Sequence, residues 1–140
     1  MEVADMLNLF VSPSSASSRK AKAWLDEYQV PYQERNILAQ PLTVDEIKAI
    51  LRLSENGLED IISTRSNDYK QLEVDLNDLP TNEVYELLHQ HPGMIKRPIL
   101  MDNKRLQIGY NSEEIRRFLP RSVRNYEIEQ AQKRAELLDA

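Results

Sequence analysis

A chain of 140 residues with 41% hydrophobic and 29% charged side chains can fill one compact core but not two full domains. It contains no cysteine, which excludes a disulfide framework, a thiolate metal or cluster site, a catalytic thiol and a thiol redox switch. The formal net charge is −5, and an acidic body argues against a general nucleic-acid binder, because phosphate contacts need a basic surface.

The charge is uneven. Residues 104–140 hold 8 of the 18 Lys+Arg but only 6 of the 23 Asp+Glu, and basic patches on an acidic body suit a protein partner of mixed charge. His89 and His91 are too few for a histidine metal site and lack the spacing of a metalloprotease helix, so structural or surface roles are expected and no metal or cofactor. No window approaches about 18 consecutive apolar residues, and the N-terminal residues lack the order of a signal peptide. The chain therefore reads as cytoplasmic, with no membrane association.

Residues 1–5 read as an extension. Met6-Leu-Asn-Leu-Phe-Val11 is rich in strand formers and loosely alternating, which predicts a short strand. Ser12-Pro-Ser-Ser-Ala-Ser-Ser18 follows, a small polar loop with hydroxyls able to cap a helix through Ala21, Trp24, Leu25 and Tyr28. Val30–Ile37 reads as a second strand, with Pro31 tolerable near its start or on an edge. Thr43 with Glu46 three positions on gives the capping-box pattern for a helix to Leu53, with Val44, Ile47, Ile50 and Leu51 on one face. Asn56-Gly57 is expected to close that helix, Gly57 supplying the left-handed conformation of the position after the cap.

Leu58–Ile62 could form one short helix, and 66–79 is open between helix and loop. Thr81–His89 predicts another amphipathic helix, ended by the His91-Pro92-Gly93 turn. Pro98–Met101 and Arg105–Ile108 flank Asp102-Asn-Lys104 as a hairpin would. Ser112 is expected to cap a helix to Leu119 that Pro120 stops. A polar helix over 121–138 follows, with Tyr126, Ile128, Leu137 and Leu138 as scattered apolar positions, more often solvated than packed. Strand, helix and strand, then a helical insertion, a helix, a hairpin and a closing helix, describe an α/β thioredoxin-like topology with a mixed sheet. The expected division is an extension at 1–5, one domain over 6–120 with the insertion at about 42–95, and a C-terminal helix or tail at 121–140.

The blocks Ser-Pro-Ser-x-x-Ser-x-Arg-Lys-Ala at 12–21, Glu-Arg-Asn-Ile at 34–37, Ile-Ile-Ser-Thr-Arg-Ser at 61–66, Arg-Pro-Ile at 97–99 and the run from Arg105 to Arg121 occur together and in order. In them the chain, from Met6 to about Ala135, resembles the Spx branch of the arsenate reductase-related (ArsC/Spx) family. The resemblance implies a stress-response transcriptional regulator that binds the C-terminal domain of the RNA polymerase α subunit, touching DNA only within the polymerase complex. It implies a partner surface at Gly57, with Arg52, Glu55 and Asn56 on the same rim. It further implies supporting roles for Arg97 and Arg65, a cis peptide at Pro98, and recognition of the exposed C-terminal residues by the ClpXP protease. Arg65 is expected to pair with an acidic or carbonyl group that orders the insertion, or to touch the partner directly. For Arg97 the plain alternative is a surface ion pair of little energy.

One departure is located. Family members typically carry Cys-x-x-Cys at the start of the first helix, where exposed N–H groups and the helix dipole stabilise a thiolate. Here Ser15 and Ser18 stand at those positions, and hydroxyls cannot form a disulfide. Arsenate reduction needs a thiolate nucleophile and is excluded on the same ground. A serine-based enzyme of glutathione-transferase type is the remaining alternative, but such enzymes add a large all-α domain that this length cannot hold. Arginines at 116–134 are interleaved with Glu127 and Glu129 and lie beside Glu113 and Glu114, so a solvated mixed-charge helix is expected there rather than a DNA-reading face.

Overall fold

A computed structural model describes residues 6–119 and 121–139. The expected extension at 1–5 and the helix stop at Pro120 lie outside them. Four strands make the sheet: β1 (Leu7–Val11), β2 (Tyr32–Asn36), β3 (Ile99–Met101) and β4 (Leu106–Ile108), in the spatial order β2-β1-β3-β4. β1 pairs in parallel with β2, Leu9 opposite Glu34, and antiparallel with β3, Leu9 opposite Leu100. β3 and β4 form the hairpin. The parallel pair requires a crossover, supplied by α1 (Ala16–Glu27).

β2 is an edge strand, which is why Pro31 is harmless just before it: the missing N–H removes no central ladder bond. The hairpin turn is organised by buried Asp102. Its carboxylate accepts from the Lys104 and Arg105 backbone N–H groups at 2.9 and 2.6 Å and pairs with the Arg105 guanidinium at 2.7 Å. Burial works to raise its pKa, but those donors together outweigh it and hold the carboxyl below its ordinary range.

Because side chains alternate along a strand, the sheet feeds two apolar clusters. Leu7, Leu9, Val11 and Leu100 join Ala21, Trp24 and Leu25 of α1 and Ile115, Phe118 and Leu119 of the turn following β4. Phe10 and Ile99 face the other way, into Ile47, Ile50, Ile61, Val84, Leu88 and Met94. That second cluster belongs to the helices between β2 and β3: α2 (Val44–Leu53), α3 (Leu58–Ile61), α4 (Asn67–Lys70) and α5 (Thr81–Gln90), with single 3₁₀ turns at Leu76–Asp78 and Pro92–Met94. The open segment 66–79 is thus two short helical turns joined by loop.

The capping box of α2 forms as the sequence indicates. Thr43 Oγ1 accepts from Glu46 N at 3.1 Å and Glu46 Oε1 accepts from Thr43 N at 2.8 Å. The other Glu46 oxygen binds Arg35 of β2 at 2.6 Å, and Arg35 lies over the Phe10 ring, so one carboxylate fastens the insertion to the sheet edge. His89 has the expected structural role, its Nδ1 lying 2.7 Å from the Leu42 carbonyl, and His91 is exposed.

Three local expectations are corrected. Gly57 does not follow the α2 cap: α2 ends at Leu53 with Ser54 as the cap in extended conformation, and Gly57 instead opens α3 at φ +68°, ψ −133°. The serine at 54 stops the helix because its hydroxyl turns back to the Leu51 carbonyl at 2.7 Å. Nor does Ser112 cap the next element. Asn111 Oδ1 accepts from Glu113 N and Glu114 N at 2.9 and 3.0 Å, and the element is a 3₁₀ turn, Glu114–Phe118, rather than an α-helix.

The third correction concerns one of the two readings of Arg65: it is exposed and makes no hydrogen bond or ion pair among the described residues, so the pairing within the insertion is not made, while direct contact with a partner stays open. The ordering of the insertion falls to backbone bonds on either side of it, Ser63 N to Met94 O and Lys96 N to Ile61 O, both 2.7 Å. In the last helix, α6 (Arg121–Asp139), the described apolar side chains are solvated as expected, with Tyr126 and Ile128 exposed and Leu137 and Leu138 at 76% and 86%.

Candidate functional site

The loop after β1 is held by its own hydroxyls. Ser15 is the N-cap of α1, its Oγ accepting from Ser18 N at 3.0 Å, and Ser15 N donates to Ser12 O at 3.2 Å. Ser18 is buried on the inner side of the helix, where Ser12 N approaches its Oγ at 3.5 Å. The geometry that places a reactive group at a helix N-terminus is therefore intact, with a hydroxyl in that position. No histidine or carboxylate bonds to Ser15 among the described residues.

An open cleft of about 1370 Å³ is lined by Ser14 and Ser15 of the first loop, by Leu53, Ser54 and Glu55, by Arg65, Lys96 and Arg97, and by β4. Six basic side chains border it against Glu55, Asp60 and Glu114, a local excess of positive charge on an acidic chain. The cleft brings together Ser15, Glu55, Arg65 and Arg97, while Arg52, Asn56, Gly57, Ser18 and Pro98 do not line it. No group of three or more histidine, aspartate or glutamate residues that could hold a metal occurs among the described residues.

Arg97 is half-buried and leans on the Pro92 carbonyl, with its Nη1 at 3.4 Å. Burial pushes its pKa down, and the negative charge of Asp68 works in the opposite sense. The Arg97–Pro98 peptide is cis, as the resemblance implies, and the Pro98 carbonyl accepts from Gly109 N at 2.8 Å.

The Gly57 rim is a tied turn. Asp60 accepts from Asn56 N at 2.9 Å and from its side-chain amide at 3.3 Å, and Gly57 N donates to Ser54 Oγ at 3.1 Å. The Asn56 backbone bond is the chief cause holding the Asp60 carboxyl below its ordinary range. A Cβ on Gly57 would meet nothing within 4 Å, so its Cα faces open space, and Arg52, Glu55 and Asn56 around it are exposed. Ser54 and Asp60 escaped the sequence reading. The signals that could have found them are their spacings, three residues before Gly57 and four after Asn56, which allow a hydroxyl and a carboxylate to close a short turn.

A β1-α1-β2 crossover, an antiparallel hairpin entered through a cis proline and a loop at the first helix N-terminus together define a thioredoxin-like protein of the arsenate reductase-related type, here with hydroxyls in that loop. The chain belongs to the ArsC family, whose model matches residues 10–118. It is 56% identical over 128 residues to the global transcriptional regulator Spx of Listeria innocua, covering 91% of this chain and 98% of that protein. It is 55% identical, with the same coverage, to the protein of that name from Staphylococcus aureus.

Among solved structures, an ArsC family related protein from Bacteroides fragilis superposes with a TM-score of 0.72 at 27% identity, covering 81% of this chain and 98% of that one. A possible arsenate reductase from Streptococcus mutans gives 0.70 at 29%, covering 79% and 98%. The high-identity relatives carry a regulator's name and not an enzyme's, and this chain groups with them as an Spx-type member of the family. No helix among the described residues is long and apolar enough to cross a membrane.

Proposed function

We propose that the chain is a cytoplasmic transcriptional regulator that binds the C-terminal domain of the RNA polymerase α subunit through the Gly57 rim and redirects transcription under stress, without a thiol switch of its own. The observation that carries this reading is Gly57 itself. Its backbone conformation is one that side-chain-bearing residues rarely adopt, it is fixed by Ser54 and Asp60 rather than by packing, and the space above its Cα is open. A bare, rigid backbone edge lets a partner's backbone or small side chain approach closely, and the exposed Arg52, Glu55 and Asn56 supply polar contacts around it.

In this reading residues 6–120 form the regulatory domain, the insertion at 42–95 carries the rim, and 121–140 is an appended helix. Arg65 and Arg97 support the neighbouring cleft, and DNA is contacted only inside the polymerase complex. The exposed Leu137 and Leu138 fit a C-terminal end read by the ClpXP protease. The serines at 15 and 18 keep the loop in one chemical state whatever the thiol balance of the cell.

The test is calorimetric titration of the full chain against the purified α C-terminal domain, with Gly57→Arg alongside and with or without diamide. Binding is expected for the parent chain, a loss of at least about tenfold for Gly57→Arg, and no response of the parent to diamide. No binding by the parent chain, or equal binding by both forms, overturns the rim; a diamide-dependent affinity traceable to this chain overturns the switchless reading.

A further inference from the structure

Arg97 reaches the cleft from a segment that the insertion grips on both sides. Ile62 and Ile95 form an isolated bridge, flanked by the 2.7 Å bonds from Ser63 N to Met94 O and from Lys96 N to Ile61 O. Directly above that segment α4 packs on the Pro92–Met94 turn, and the meeting point is Asp68 over Gly93. A Cβ built on Gly93 would overlap the Asp68 carboxylate and stand 3.1 Å from its Cγ. Gly93 has an ordinary negative φ, so glycine is required there by the approach of Asp68 and not by backbone conformation.

The carboxylate that occupies this space has no hydrogen bond or direct ion pair among the described residues, yet its charge acts on Arg97, whose guanidinium is folded back to the carbonyl of the same turn, Pro92 O. A half-buried guanidinium with one carbonyl contact at 3.4 Å is weakly held, and a fixed negative charge nearby biases where it sits.

We propose that Asp68 is the positioning residue of Arg97: from the inserted helix it holds the guanidinium against the Pro92–Met94 turn, and Gly93 is the gap that admits it. The insertion thereby sets the orientation of a basic group that lines the cleft, in addition to carrying the rim. Its bearing on partner binding rests on the function proposed above, whereas the placement of Arg97 does not.

The experiment follows the Arg97 Nε–H group of the full chain by NMR, assigned by its loss in Arg97→Lys, in the parent, Asp68→Asn, Gly93→Ala and the double variant. The expected result is a shifted Nε resonance and water exchange faster by about threefold in Asp68→Asn. Gly93→Ala is expected to act in the same direction, with the double variant no worse than the stronger single one. The Nε–H groups of Arg35 and Arg105, held by other carboxylates, serve as internal controls and stay unchanged. An unchanged Arg97 resonance in Asp68→Asn overturns the proposal. So does a change there accompanied by equal shifts of the Ile62 and Ile95 amides, which would make Asp68 a general structural contact. Neither outcome depends on polymerase binding, so this proposal and the function above fail separately.

Discussion

The two faces of the sheet are built by opposite means. On one face, α1 and the 114–118 turn come from segments immediately next to β1 and β4 in the chain, and their apolar residues meet Leu7, Leu9 and Leu100 through short connections. On the other, residues scattered from Ile37 to Ile99 assemble around Phe10 and Ile99, and the order comes from ties between distant segments: Arg35 to Glu46, Ser63 to Met94, Ile61 to Lys96. The local face supports the 12–18 loop, whose geometry is set by backbone and hydroxyl bonds and needs no thiol. The assembled face carries the Gly57 rim, a turn tied locally by Ser54 and Asp60 on an insertion whose helices are held together by the long-range ties. On the function proposed above, a change in the 12–18 loop on one face leaves the partner surface on the other face untouched.

The strongest way to break this contrast is to empty each core in turn. Leu25 on the local face and Leu88 on the assembled face are both fully buried, and Leu25→Ala and Leu88→Ala are each expected to cost about 2–5 kcal/mol in urea unfolding. If the faces are separate clusters joined only through the sheet, the double variant sums to within about 0.5 kcal/mol. A larger discrepancy would show that the sheet transmits strain between them. Only Leu88→Ala is expected to loosen the rim, seen as faster amide exchange at Asn56 and Gly57 under native conditions.

A smaller effect separates the faces by pH. Burial works to raise the Glu46 pKa, but the Thr43 N–H and the Arg35 guanidinium together hold it below its ordinary value of 4.5. A carboxyl whose folded value is lowered contributes stability that is fully present above the unfolded value and disappears as pH falls through the folded one. The insertion should therefore loosen on acidification below about pH 4.5, while at neutral pH Glu46→Gln is expected to cost about 1–2 kcal/mol. In the same acid titration Glu46→Gln should show a shallower stability loss than the parent. Equal slopes would remove Glu46 from the ties that assemble this face.

What the sequence disclosed divides along the same line. Strand and helix order, the Thr43–Glu46 box and the hairpin around Asp102 are local patterns, and each is legible from neighbours within about four residues. The Arg35–Glu46 pair and the Asp68–Gly93 approach join segments 11 or more residues apart, and no single-sequence pattern marks them. Ser15, Ser18, Arg65, Arg97 and Pro98 lie within the family blocks, whereas Arg52, Glu55, Asn56 and Gly57 lie between them; that Ser15, Glu55, Arg65 and Arg97 share one cleft while Gly57 lies outside it is a tertiary fact. Gly57 was assigned a helix end because glycine is the common residue there, but Ser54 ended α2 first and left the glycine to open α3.

The left-handed helix end does occur, at a residue that composition would not single out. α1 ends at Tyr28, and Gln29 follows at φ +55°. Gln29 N donates to Asp26 O at 3.2 Å and Val30 N to Leu25 O at 2.9 Å, the paired bonds of a Schellman end. A glutamine in this conformation carries the Cβ crowding that glycine avoids. Gln29→Gly is therefore expected to stabilise the chain by about 0.5–1 kcal/mol, the relief in the folded state exceeding the extra freedom glycine gives the unfolded chain. The gain is confined to the local face: the urea midpoint should rise with its slope unchanged, and affinity for the α C-terminal domain should stay as it is. A lowered midpoint would mean that Gln29 is held by contacts stronger than its backbone strain, and a changed affinity would join to the rim an end of the molecule that the contrast between the faces keeps apart from it.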